Sequence, residues 1–168
     1  MIDQSKANQP HFHSGFTLIE ILIVLVIISI VSSVAILTVS HNQNKNLENL
    51  AHELQRVILL AEQEAMLRPA TLGLALTSTS FQFYQYTTRW VPLSTPILGM
   101  HHFPATIQLQ LKINHKIIPL NTPPVLIISA SGDLTPFIIL IGKKEAPPRY
   151  AVIGYANGQV NTRYIDEK

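Results

Sequence analysis

A run of 24 residues near the N-terminus, 16–39, contains one charged side chain, Glu20, and constrains the chain more than any other feature. A helix of about 20 apolar residues crosses the ~30 Å hydrocarbon layer of a bilayer, so the run predicts a transmembrane helix. A charge within such a helix costs roughly 2.5 to 3.5 kcal/mol near its centre and less toward its end. Glu20 therefore requires either a partner or a function.

Two other identities of this run fit part of the pattern. A secretory signal peptide has a basic start, an apolar core of about 7 to 15 residues and a small-x-small cleavage site. Residues 33–35, Ser-Val-Ala, have the composition of such a site, but the first 15 residues contain one lysine, Lys6, which Asp3 offsets. An ordinary signal anchor fits the length of the run. Neither identity explains Glu20.

Composition limits the rest of the chain. With 168 residues, 47% hydrophobic and 13% charged, the sequence is long enough for one domain of ordinary size and a membrane element. There is no cysteine, which excludes a disulfide scaffold and a thiolate metal site. Residues 69–168 carry a net charge of +4. We interpret this charge as a solvated face, because no arginine-rich run or interleaved aromatic residues indicate a nucleic-acid surface.

The segment GFTLIEILIVLVIISI, residues 15–30, resembles the N-terminal signal of type IV prepilins and type II secretion pseudopilins. In that family a polar leader ends in glycine, and the mature chain begins with phenylalanine and has glutamate at its fifth position. The resemblance implies that a membrane prepilin peptidase/methyltransferase cleaves between Gly15 and Phe16 on the cytoplasmic side and methylates the new amine of Phe16. A glycine also suits a cleavage site physically, because it lets an extended backbone approach catalytic carboxylates closely.

The resemblance also implies a partner for Glu20. In filaments of this family, the carboxylate of an incoming subunit meets the N-terminal amine of a neighbour, so two charges that lipid disfavours cancel. Phe16 and Glu20 are four residues apart and share one helix face, so Glu20 has two alternatives within its own chain: its own amine, or the helix N-terminus. The sequence leaves the choice open.

The helix is predicted to continue beyond the apolar run through residues 40–68. Apolar residues recur there at steps of three and four, which predicts one apolar stripe. Pro69 predicts the end of the helix near Arg68. The stripe holds for barely three heptads, so packing against the chain's own sheet is favoured over a coiled-coil seam. The stripe consists of Leu47, Leu50, Ala51, Leu54, Val57, Ile58, Ala61 and Ala65.

From residue 70 onward the period changes to two, which predicts half-buried antiparallel strands at 70–77, 81–83 and 106–113. Two solid apolar runs, 125–129 and 137–141, bracket Ser131-Gly132-Asp133 and predict two inner strands joined by a turn.

Asn157-Gly158 predicts a tight hairpin between the last two strands, 150–155 and 159–165. Segments 95–104 and 143–148 are predicted surface loops. The predicted fold is α+β: a long N-terminal helix, its first half transmembrane, packed on a C-terminal antiparallel β domain that forms a curled sheet or a small sandwich, as in pilin-like proteins.

Four segments follow from this interpretation: a cleaved leader (1–15), a transmembrane and assembly helix (16–39), an amphipathic continuation of that helix (40–68) and a periplasmic β domain (69–168). The strand patterns resemble the minor pseudopilin H (GspH) branch of type II secretion, with FimT-like minor pilins close by. The resemblance implies a single-pass inner-membrane subunit at or near the tip of a periplasmic pseudopilus, with other major and minor pseudopilins as partners. The alternative is a FimT-like minor pilin of a type IV pilus that binds DNA during uptake.

No motif indicates an enzyme, a cofactor or a metal site. The chain lacks a glycine-rich phosphate loop, a nucleophile elbow and a zinc signature. His101 and His102 are adjacent, so they point apart in an extended chain and are interpreted as loop residues. Asp133 is interpreted as a turn residue and Trp90 as core or interface packing.

Overall fold

The computed structural model describes residues 17–120 and 124–166, and the side chains of 17–32, 44–120 and 124–166. The chain divides into two compact units, Met1–His41 and Asn42–Lys168. One helix, α1, extends from Leu18 to Leu67. Ten strands follow: β1 (Thr71–Leu76), β2 (Ser80–Tyr86), β3 (Trp90–Pro92), β4 (His101–His102), β5 (Ile107–Ile113), β6 (Lys116–Ile118), β7 (Leu126–Ile128), β8 (Phe137–Lys143), β9 (Pro148–Gly154) and β10 (Val160–Tyr164).

Along residues 18–31, α1 exposes its apolar side chains. Leu25 and Ile30, for example, are 60% and 61% exposed. Within residues 17–120 and 124–166, no helix combines the length and the apolar character needed to cross a bilayer. A membrane span at residues 16–39 stays a prediction.

In the second unit, α1 buries the predicted stripe. All eight stripe residues are at most 5% exposed, and they share one core cluster with residues of both sheets. The helix ends at Leu67, one residue before the predicted end at Arg68. The stripe therefore packs on the chain's own strands, as predicted.

The strands form two antiparallel five-stranded sheets. Sheet A has the order β3-β2-β1-β7, with β4 also paired to β2, and sheet B has the order β10-β9-β8-β5-β6. Alternate residues of the long strands face the common core, where Phe83, Ile139 and Ile141 are fully buried. The predicted α+β fold is confirmed, in its two-sheet form.

One strand prediction is wrong. The runs 125–129 and 137–141 do form strands, but β7 lies at the edge of sheet A, whereas β8 lies at the centre of sheet B. The segment around Gly132 therefore crosses from one sheet to the other and does not close a pair of inner strands. A bridge between Ile128 and Leu134 and a hydrogen bond from the Thr135 N–H to the Ile127 carbonyl (2.9 Å) hold this crossing.

The predicted last hairpin is confirmed. Strands β9 and β10 pair from Tyr150–Tyr164 to Gly154–Val160, and Gly158 adopts a φ of 83° in the turn. On β8, Phe137 pairs with Gly154 of β9, and its ring occupies the space that a Cβ on residue 154 would need. Strand β10 is an edge strand of sheet B and is hydrogen-bonded to α1, because the Gln55 side-chain amide donates to the Val160 carbonyl at 2.8 Å.

Candidate functional site

Thr17 fixes the start of α1. The Glu20 N–H donates to the Thr17 carbonyl at 3.1 Å and lies 3.3 Å from Thr17 Oγ1, and the Ile21 N–H donates to the same carbonyl at 3.3 Å. A threonine in this position satisfies N–H groups that have no partner within the helix, which typically contributes ~1 kcal/mol. The helix therefore begins two residues after the predicted cleavage site. Gly15 and Phe16 themselves lie outside the described residues.

Glu20 occupies the third helical position, so Thr17 and Glu20 have the spacing of a capping box. Its side chain is exposed, and its negative charge lies at the positive end of the helix dipole, an interaction worth about 0.3–1 kcal/mol in water. Among the described residues, the Glu20 carboxylate has no hydrogen-bond or ion-pair partner. The structure thus places the charge of Glu20 where it stabilises the start of its own helix.

A second carboxylate, Glu62, lies where two turns meet α1. Its Oε1 packs against Gly158, and a Cβ on Gly132 would be 3.5 Å from the same oxygen and 2.9 Å from Met66 Sδ. Both glycines have left-handed φ angles, 87° for Gly132 and 83° for Gly158. Burial raises the pKa of Glu62. The Glu62 carboxylate therefore belongs to the contact by which the turns at Gly132 and Gly158 pack against α1.

His101 joins the segment between β3 and β5 to the helix. Its Nδ1 lies 2.8 Å from Glu53 Oε1, its Nε2 lies 2.8 Å from the Ile97 carbonyl, and its ring stacks on Phe81 with the centroids 4.7 Å apart. His102 is exposed. The prediction that both histidines are loop residues is wrong, because they form β4 and pair with β2. In the described residues, no three histidine, aspartate or glutamate side chains are grouped as a metal site.

Trp90 packs on the side of sheet A that faces away from the core. Its indole covers Gly73, where a Cβ would be 2.8 Å from Cζ3, and Pro124 covers the same glycine. Tyr86 contacts the Trp90 ring edge to face, with the centroids 5.2 Å apart. The tryptophan is therefore half-buried and outside the core, and of the two predicted roles, core or interface packing, the interface stays a prediction.

The sequence interpretation missed the contacts of Glu53 and Glu62. Both residues fall off the apolar stripe and therefore have the pattern of solvated helix positions, and nothing local indicates that distant segments reach them. The cap at Thr17 has a signal that the interpretation did not use, the spacing Thr-x-x-Glu.

The chain is similar to known proteins in its motif, its sequence and its fold. The prokaryotic N-terminal methylation motif matches residues 11–36. Type II secretion system protein H of Pseudomonas aeruginosa is 27% identical over an alignment 146 residues long, and the match covers 77% of this chain and 83% of the relative. The protein of the same name from Aeromonas hydrophila is 24% identical over an alignment 159 residues long, and the match covers 83% of this chain and 86% of the relative.

A crystal structure of the minor pseudopilin EPSH from the type II secretion system of Vibrio cholerae matches with a TM-score of 0.66 at 20% identity, over 74% of this chain and 97% of that chain. This likeness shows the fold. The resemblance inferred from the sequence is confirmed: the chain matches the methylation motif, is similar in sequence to type II secretion system protein H and shares its fold with a minor pseudopilin. The relatives and the structural match are named as secretion-system proteins and a pseudopilin, and none of the three as an enzyme.

Proposed function

We propose that this chain is a minor pseudopilin of a type II protein secretion system. It is a structural subunit at or near the tip of the periplasmic pseudopilus, and it helps to export folded proteins across the outer membrane. The observation that carries the proposal is the methylation motif at residues 11–36 in a chain that also has the pseudopilin fold. The names of both relatives favour secretion over the FimT-like alternative, a type IV pilin that binds DNA.

Maturation precedes assembly. The prepilin peptidase/methyltransferase cleaves between Gly15 and Phe16 and methylates the amine of Phe16. The motif match covers both residues, and Thr17 starts the helix directly after them. The cleavage site therefore lies directly before a helix whose start is set by Thr17.

Residues 16–39 hold the subunit in the bacterial inner membrane as a single pass, with the β domain in the periplasm. In the first unit the apolar side chains of residues 18–31 are exposed, so they offer a continuous surface to lipid before assembly and to other pseudopilin helices afterwards. Glu20 guides that exchange, because an amine of a neighbouring subunit cancels its charge.

Mass spectrometry of the chain purified from membranes tests the proposal. We expect a mature protein that begins with N-methylated Phe16 and co-purifies with other pseudopilins. Gly15→Trp should block cleavage, because a bulky side chain prevents close approach of the backbone to the peptidase, whereas the control Gly15→Ala should retain much more cleavage. A mature chain beginning after Ala35 would instead indicate a conventional signal peptide and contradict the proposal.

A further inference from the structure

The outer face of sheet B is defined by two rows of side chains that point away from the core. The first row, across β5, β8, β9 and β10, is Lys112, Ile138, Ile153 and Asn161. The second is Gln110, Leu140, Ala151 and Arg163. The residues between them along the strands, such as Leu111, Ile139 and Val152, are buried in the core. Of the eight side chains in the two rows, Ala151 is buried and the other seven are partly or fully accessible.

The centre of the outer face is apolar. Ile138, Leu140 and Ile153 remain partly accessible, and they adjoin one another on the two central strands. An antiparallel strand with one solvated face normally alternates apolar and polar residues, whereas β8 reads Phe-Ile-Ile-Leu-Ile. That composition is typical of a strand covered on both faces, and the partial accessibility of Ile138 and Leu140 leaves their outer side open to a further contact.

The charges at the margins identify the kind of contact. Lys112 and Arg163 lie at opposite ends of the two rows, three strand spacings apart, which is about 14 Å. None of the outward positions on β5, β8, β9 and β10 is an aspartate or a glutamate. A partner that fits therefore places carboxylates on two sides of an apolar patch.

The outer face of sheet B has two shallow depressions. One, of ≈ 370 Å³, is lined by Ile138, Ile153 and Lys112, and the other, of ≈ 160 Å³, is lined by Leu140 and Gly142. Side chains that enter buried pockets at the centre of an interface contribute most of the binding free energy. The depressions lie beside the apolar centre, where such side chains would enter.

Two other occupants fit less well. Two copies of this chain packed face to face would bring four cations together with no carboxylate between them, and like charges at an interface disfavour association. Nucleic acid requires a groove of several cations or a stacking platform, and the two rows contain two cations and no aromatic residue.

We propose that the outer face of sheet B is the docking surface for a different subunit of the same pseudopilus, one that presents apolar side chains between two carboxylates. This inference rests on the proposed function and names the surface through which the β domain meets its neighbour.

Crosslinking in the full chain tests the inference. A photoreactive residue at Asn161, an exposed position of the first row, is placed in the chain co-expressed with the other pseudopilins, and a second probe is placed in the N-terminal helix at Ile27. We expect both probes to crosslink to pseudopilins. Reversing both charges, Lys112→Glu with Arg163→Glu, should lower the yield from Asn161 at least about tenfold, because close charge pairs at interfaces contribute more than ~1.4 kcal/mol.

The matched control is Arg56→Glu, which reverses an exposed cation on α1 and should leave the yield from Asn161 unchanged. Thermal unfolding checks that the charge-reversed chain is folded. If it is not, Lys112→Gln with Arg163→Gln removes the charges without reversing them and should still lower the yield. An unchanged yield in a folded variant would overturn the inference.

The two probes separate this inference from the proposed function. Pseudopilin crosslinks from Ile27 but not from Asn161 would overturn the docking surface and leave the function standing. Crosslinks from Asn161 to DNA, or to a second copy of this chain alone, would also overturn it. Absence of pseudopilin crosslinks from both probes would contradict the proposed function as well.

Discussion

Gly154→Ala tests the packing that closes sheet B. A Cβ on residue 154 would be 2.6 and 2.7 Å from Cδ1 and Cζ of Phe137, and closer still to Cε1, whereas ordinary contact begins at 3.4 Å. Phe137 is only 3% exposed, so its ring cannot swing into solvent. The ring or the strand must move by about 1 Å, and overpacking of this kind costs about 1–3 kcal/mol.

We therefore expect Gly154→Ala to lower the free energy of unfolding by about 2 kcal/mol, or the melting temperature by roughly 8 °C for a domain of this size. Urea and thermal unfolding of a fragment comprising residues 42–168 measure the loss. The control Asn161→Ala, at an exposed site on the same hairpin, should change the free energy of unfolding by less than ~0.5 kcal/mol.

A double-mutant cycle isolates the cause. In a Phe137→Leu background the aromatic ring is gone, so Gly154→Ala should become neutral or even stabilise by up to ~1 kcal/mol, because alanine restricts the unfolded chain. An equal loss in both backgrounds would refute the steric reasoning, and so would a loss below ~0.5 kcal/mol in the unmodified fragment.

Three further predictions follow from the helix. Glu20→Leu should insert into the membrane more favourably by up to roughly 3 kcal/mol and still be cleaved, yet crosslink poorly to other pseudopilins; normal crosslinking would contradict the assembly role. Glu62→Gln should raise the free energy of unfolding by about 0.5 kcal/mol near pH 7 and leave it unchanged near pH 3. Burial raises the pKa of Glu62, so the ionised carboxylate lowers the stability of the folded chain, and this loss disappears fully only below the pKa that Glu62 has in the unfolded chain. Urea unfolding at both pH values measures the free energy of unfolding, and an equal gain at both would refute this cause. A fragment that starts at Leu47 should be a soluble monomer by light scattering, because the stripe and the strands cover each other's apolar faces, whereas aggregation under mild conditions would assign the stripe to contacts between subunits.

Periodicity predicted the elements that bury one continuous face. The α1 stripe and strand β5 follow patterns of 3.6 and 2 residues, and both lie in the core as expected. Processing between Gly15 and Phe16 follows from the resemblance of the motif to prepilin signals, and it stays a prediction.

The periodicity of the sequence could not predict features that depend on which distant segments pack together. The short apolar run at β7 fits either sheet equally well, so its place at the edge of sheet A follows only from the complete topology. Glu62 has the pattern of a solvated helix position, and it is partly covered because two turns from far along the chain approach it. The contact of Phe137 with Gly154 likewise requires the register of two strands.

The bond between Gln55 and the Val160 carbonyl bears on how this protein avoids uncontrolled polymerisation. A bare edge strand is a template on which another chain can add, which leads to aggregation. On β10 the helix already binds one backbone carbonyl, that of Val160, and the Thr162 hydroxyl adds hydrogen bonds to the Gln55 side chain at 2.8 Å and to the Ala51 carbonyl at 3.5 Å. These contacts make it harder for a strand of another chain to add to β10, so association of this domain through its helix or through the faces of its sheets is favoured over edge-to-edge pairing there.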